Sequence, residues 1–286
     1  MRSFIFLLFS LTAAHASFPS EKSDNVRGLL REGKIAEAES AANALVAVNP
    51  NGAEAHALLG SVCVAKGDSD AAVRAAEKSV ELAPANSDYQ RQLGDTYGFA
   101  AQKAGMLGKM GWAKKSRLAY EKAVEFDPAN LNARSSLMSF YQMAPGMMGG
   151  GMDKAYAQAA EIKKLDNSRG CVAYAILYIA EKKFAEAFAE LEEVLKNTPD
   201  DYPALFQFGR LTALSGERTD LGMEALNKCL ALTPTAGSPG HDAANWRLGN
   251  LWEKKGDRQA ARDAYQAALE INPGFPQAID SLKKLK

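Results

Sequence analysis

The sequence predicts an all-α solenoid of about seven helix pairs, closed by a C-terminal capping helix. Three observations carry that prediction. Prolines recur in a 34-residue frame, as at Pro50 and Pro84. An apolar-Gly pair recurs in the first half of the frame, at Leu59-Gly60, Leu93-Gly94, Phe208-Gly209 and Leu248-Gly249. Small residues recur in the second half, at Ala72, Ala187 and Ala261. A period of roughly 20–50 residues marks an array in which each unit packs only on its neighbours. The pattern therefore predicts an elongated rod rather than a globule.

The first residues read as an export signal. Arg2 precedes an apolar run from Phe4 to Ala14, and Ala14-His15-Ala16 forms a small-x-small cleavage site. The alternative, an uncleaved anchor, needs about 18 apolar residues to span a bilayer, and this run is shorter. The residue directly after the cleavage site is Ser17, not cysteine, so a lipid anchor is disfavoured. Residues 1–16 are accordingly expected to leave a mature chain of 17–286, exported to the periplasm or the extracellular space, with no further membrane span.

Seven repeats follow, at approximately 20–52, 53–86, 87–130, 131–167, 168–201, 202–236 and 242–275, with a cap at 276–286. The first is degenerate in its first helix but clear in its second, where Gly33, Ile35 and Ala38 stand at turn and packing positions. In the second, Gly67-Asp68, Val80 and Leu82 complete the frame. The third stretches from Pro84 to Pro128, an excess of ten residues placed between 98 and 111. The fourth has Leu137 and Tyr141 on one helix, Ala155, Ala159 and Ile162 on the other, and a Gly- and Met-rich insertion between. The fifth uses Tyr174, Tyr178, Phe184 and Leu191. The sixth uses Gly216, Leu226 and Leu230. In the seventh, Trp252, Gly256, Tyr265 and Ala268 lead to Pro273. Beyond it, Ile279, Leu282 and Leu285 fall on one helical face, as a cap requires.

The frame explains its residue types. Glycine removes a side chain where paired helices cross, and a larger residue there would overpack the contact by about 1–3 kcal/mol. Proline cannot continue a helix and so ends each pair. Cys63, Cys171 and Cys229 are three, an odd number that does not make a disulfide framework, and each lies in an expected helix. They read as small core hydrophobes.

Chemistry finds little purchase. The 34 basic and 34 acidic residues balance, which argues against nucleic acid as the partner. His56 and His241 lie outside any metal-ligand spacing, and no Gly-x-Ser-x-Gly elbow is present. The chain is therefore expected to be non-catalytic, without cofactor or metal. The oddest stretch is 143–152. It lacks the Gly-Lys-Ser/Thr ending of a phosphate loop and follows a helix rather than a strand. Its thioethers, Met143, Met147, Met148 and Met152, are soft ligands for copper(I), which gives an alternative reading as a metal or small-ligand binder. The plainer reading is a tight glycine connection with methionines packed on adjacent helices. Lys103, Lys109, Lys114, Lys115 and Arg117, with Trp112 among them, form a basic stretch that reads as a solvated helix face rather than a lipid-facing patch.

The Leu248-Gly249, Trp252, Gly256, Ala261, Tyr265, Ala268 and Pro273 series resembles the tetratricopeptide repeat. The stretch Tyr141, Ala144-Pro145-Gly146, Gly149-Gly150 and Lys154-Ala155 resembles a sub-pattern of exported bacterial members. The resemblance implies a right-handed superhelix whose first helices line a concave groove that binds an unidentified protein or peptide. Carried over, the groove positions are Arg91 in repeat three, Asn132 and Ser139 in repeat four, Phe206, Gln207 and Arg210 in repeat six, and Trp246, Arg247 and Asn250 in repeat seven. These residues are expected to be free of the repeat core. The family's carboxylate clamp wants Lys and Asn at the positions of Trp246 and Asn250, so a chaperone's terminal acid is not implied.

Overall fold

The computed structural model describes residues 21–235 and 237–285, and among them every regular element is helical. The expected signal peptide, 1–16, lies outside the described residues. The chain divides into two compact units between Ala119 and Tyr120.

The first unit contains α1 (Glu21–Arg31), α2 (Ile35–Val48), α3 (Ala53–Lys66), α4 (Ser69–Leu82), α5 (Ser87–Lys103) and most of α6 (Met106–Phe126). Each of α1 to α4 packs on the helix that follows it, and α3 also touches both α1 and α5. Val26, Ala38, Ala42, Leu58 and Val62 form one core, and Val73, Ala76, Leu93, Tyr97, Ala100 and Ala119 another. Asp68 and Asn86 cap α4 and α5 by accepting from Ala71 and Tyr89 backbone N–H groups. Such caps contribute about 1 kcal/mol each.

The ten extra residues of the third repeat do not form a loop. They lengthen both helices, α5 to 17 residues and α6 to 21, against 14 in α2, α3 and α4. Lys115, from the basic stretch, lies over the Trp112 ring at 4.6 Å and the Tyr97 ring at 5.2 Å.

The second unit runs from the end of α6 through α7 (Leu131–Met143), α8 (Met152–Leu165), α9 (Asn167–Ala180), α10 (Phe184–Asn197), α11 (Tyr202–Ser215), α12 (Thr219–Ala231), α13 (His241–Lys255), α14 (Arg258–Ile271) and α15 (Pro276–Lys284). Helices pair in chain order, α7 with α8 and onward to α13 with α14. The punctuation is chemical. After α6, α10 and α14 the chain turns through Asp127–Asn130, Thr198–Asp201 and Asn272–Phe275, each closed by a backbone bond. Asn130 and Asp201 then cap α7 and α11.

The close crossings expected of the glycines are present at two positions. A Cβ on Gly249 would stand 2.3 Å from the Tyr265 ring, and one on Gly209 would stand 2.3 Å from Leu226. At Gly60 in the first unit the nearest atom is 3.4 Å away, an ordinary contact. Cys63, Cys171 and Cys229 are all buried and unpaired, as core hydrophobes are.

First helices of successive pairs also touch one another, α9 on α11 and α11 on α13. No comparable contact joins α10 to α12 or α12 to α14. The first-helix side of the second unit is therefore its tighter, inner side. That geometry decides which side chains share a surface.

Candidate functional site

The inner side of α11 and α13 brings together Gln207, Arg210, Trp246, Arg247 and Asn250. Each arginine is oriented by a neutral amide on its own helix. Arg210 Nη1 donates to Gln207 Oε1 at 3.0 Å, and Arg247 Nη1 reaches Asn250 Oδ1 at 3.5 Å. Asn250 donates in turn to the Tyr265 hydroxyl at 2.9 Å, and that hydroxyl donates to Glu253. The arginine is thereby tied to the core of the last repeat.

Charge is the unusual feature. Among the described residues neither guanidinium has a carboxylate partner, and Arg247 Nε is buried with no hydrogen-bond partner. Burial, and then the neighbouring Arg210 charge, push the Arg247 pKa down to about 10. Burial alone pushes Arg210 down as well. Both remain cations near neutral pH. Two half-buried like charges are thus held together with no carboxylate among the described residues, Arg247 having only the face of the Trp246 ring, which costs stability unless something else gains from it.

Trp246 belongs to a different environment from the expected one. Its ring meets Phe275 edge-on at 5.9 Å, and its indole N–H donates to Ser281 Oγ at 3.2 Å. It is half-buried against α15, and Arg247 covers it at 4.0 Å. Trp246 is a docking residue for the cap as much as a groove residue. Phe206 corrects the expectation of an exposed aromatic outright. It is 4% exposed and lies in the core with Val172, Leu205 and Leu248. A large ring at this position fills the seam between first helices, whose contact leaves it no route to solvent. The apolar residues Val172 and Ile179 are buried in the same core.

The other expected groove residues lie elsewhere. Asn132 is exposed on α7, where its Oδ1 accepts from Arg169 Nη2 at 2.8 Å. Ser139, also on α7, is half-buried. Arg91 is in the first unit. It is neutralised by Asp95 at 2.7 Å and lies near Asp88 at 3.8 Å. It lines a cleft of about 350 Å³ with Arg27, Glu54, Asn86 and Gln92.

The Gly- and Met-rich segment is a short 3₁₀ turn, Gly146–Met148, followed by Gly149 and Gly151 with positive φ. A Cβ on Gly150 would fall 1.8 Å from the Ala144 carbonyl oxygen, so the tight connection depends on glycine. Packing of the methionines is only partly as expected. Met152 packs on the α7–α8 core, but Met143 and Met147 are 81% and 79% exposed. Elsewhere, Cys171, Glu190 and Glu193 lie close enough to share an ion, but Lys163 Nζ already sits 2.8 Å from Glu190 Oε2. Among the described residues no helix is long and apolar enough to cross a membrane.

Tetratricopeptide repeat families match residues 24–87 and 243–275. No curated protein matches the sequence significantly. Solved structures of the same fold do. A tetratricopeptide repeat protein from Parabacteroides merdae is 14% identical over 93% of this chain and 97% of its own, with a TM-score of 0.63. A thermophilic repeat protein from Thermus thermophilus is 17% identical, over 74% of this chain and all of its own, with a TM-score of 0.54. A human IFIT1 dimer with m7Gppp-AAAA is 17% identical over 94% of this chain and 62% of its own, with a TM-score of 0.62. At these identities the likeness shows the fold, an all-α tetratricopeptide-type solenoid. That architecture is one of interaction scaffolds, whose ligand is set by surface residues.

Proposed function

We propose that this chain is an exported, non-catalytic scaffold that holds a protein or peptide partner on the inner side of its first helices. The observation that carries this reading is the set of polar side chains at Gln207, Arg210, Arg247 and Asn250. They are kept half-exposed on two first helices that pack on each other. A buried position that only served packing would be filled more stably by an apolar residue. Export is supported by the composition of residues 1–16, and the periplasm or the extracellular space is the proposed location.

Two experiments test this. Protein recovered from the envelope or medium of the source cell is expected to have the intact mass of Ser17–Lys286. A retained N-terminus there, or protein confined to the cytoplasm, defeats the export reading. A photo-crosslinking residue at Ser139, at the groove position of the first helix α7, should trap a partner in cell extract, whereas one at the exposed Leu221 of α12 should not. Crosslinking only from Leu221 would move the binding surface to the second helices.

A further inference from the structure

We infer that Arg210 and Arg247 form a two-guanidinium seat for a side-chain carboxylate of an acidic peptide lying across α11 and α13. The inference rests on the inner-side reading above and names the chemistry of its occupant. Three observations support it. The two arginines come from neighbouring first helices that pack directly on each other, so one extended segment crossing the stack meets both. Among the described residues their side-chain hydrogen-bond partners are the amide oxygens of Gln207 and Asn250, which orient a guanidinium without neutralising it. One donor, Arg247 Nε, is buried with no hydrogen-bond partner among the described residues. A buried donor left unmade is costly, and a carboxylate meets such a planar fork with two parallel bonds.

The contrast with Arg91 shows what the pair lacks. Arg91 is also on a first helix and its Nε is likewise buried without a hydrogen-bond partner, yet Asp95 and Asp88 neutralise it within its own turn. Arg210 and Arg247 have no such acid. Burial lowers the proton affinity of both, the Arg210 charge lowers that of Arg247 further, and an incoming anion would offset that repulsion. The near-neutral whole chain lacks the broad positive field that attracts a nucleic-acid backbone. Two localised guanidiniums instead fit a side-chain carboxylate of an acidic peptide.

The probe is a dye-labelled octaglutamate peptide, acetylated and amidated at its ends, against octaglutamine of the same length. The mature chain should bind octaglutamate at least tenfold more tightly. Arg247→Met and Arg210→Met keep an unbranched apolar stem and remove the charge. Each should lose at least tenfold in affinity, while Arg91→Met should lose less than twofold. Arg210→Met should melt at or above the temperature of the parent, because a half-buried charge with no carboxylate partner has been removed, and Arg247→Met, whose stem still covers the Trp246 ring, should melt close to the parent. Equal binding of the two peptides, an equal loss in Arg91→Met, or a loss that tracks a fall in melting temperature overturns the inference. So does tighter binding of an oligoadenylate of equal charge. If octaglutamate fails while the Ser139 crosslink persists, the carboxylate assignment falls and the inner-side reading stands. If both fail, both fall.

Discussion

Replacing Gly170 with alanine is expected to lower stability by about 2 kcal/mol, although alanine is the better helix former. The intrinsic preference alone would favour the change by roughly 1 kcal/mol. Geometry reverses the sign. Gly170 lies in the first turn of α9, where a Cβ would stand 2.2 Å from Lys163 Cα and 2.3 Å from Lys163 Cβ on α8. The obstacle is backbone, so no rotamer change removes it, and α8 and α9 must move apart. Overpacking of this kind costs about 1–3 kcal/mol and more where the backbone must yield. Moving Lys163 also disturbs its 2.8 Å ion pair with Glu190 and its position 5.5 Å from the Tyr174 ring. Urea denaturation of Gly170→Ala should therefore show a lower midpoint with an unchanged slope. Gly28→Ala is the matched control, since nothing lies within 4 Å of the added atom in α1. It should be neutral or stabilising. A Gly170 variant as stable as the parent would mean that the α8–α9 crossing is looser than drawn.

Gly170 also marks the limit of what a repeat pattern reveals. The frame was legible because its punctuation is local. A proline ends a helix wherever it stands, and an apolar-Gly pair marks the crossing within one repeat. Gly170 occupies no signature position, and its need for a hydrogen side chain is set by the approach of a neighbouring backbone. The ten extra residues near 98–111 have the same character. Their number was countable, but alanine, methionine and lysine among the glycines let α5 and α6 run on instead of opening a loop.

The candidate site was legible in part for a related reason. Groove positions follow from the frame, which placed Arg210, Arg247 and Asn250 on one side. Whether a groove position is open depends on the size of its side chain and on the next first helix. Phe206 is large and has neighbours on both sides, so it is core. The missing partner of Arg247 is a fact about surroundings, and no spacing rule exposes it.

Trp246 falls under the same logic, and its replacement by alanine is expected to destabilise the C-terminal end of the second unit. The ring packs with Phe275 and Leu282 against Ala261, Tyr265, Ala268 and Ala278, and its N–H holds Ser281 on α15. A fully buried Trp→Ala change costs about 3–5 kcal/mol, and a half-exposed ring less, about 2–3 kcal/mol. At about 2–4 °C per kcal/mol for a unit of this size, the melting temperature should fall by roughly 4–12 °C. Amides of α15 should exchange faster than those of α13. Trp246→Phe keeps the edge-on contact with Phe275 and loses only the bond to Ser281, a deficit of about 1 kcal/mol. The order should be parent, then phenylalanine, then alanine. Trp246→Ala melting with the parent would show that α15 docks without it. The order also bears on binding. Loss of a partner in Trp246→Ala would reflect a loosened cap as readily as a lost contact. The charge variants at Arg210 and Arg247, which leave the cap packed, are therefore the sharper probes of the inner side.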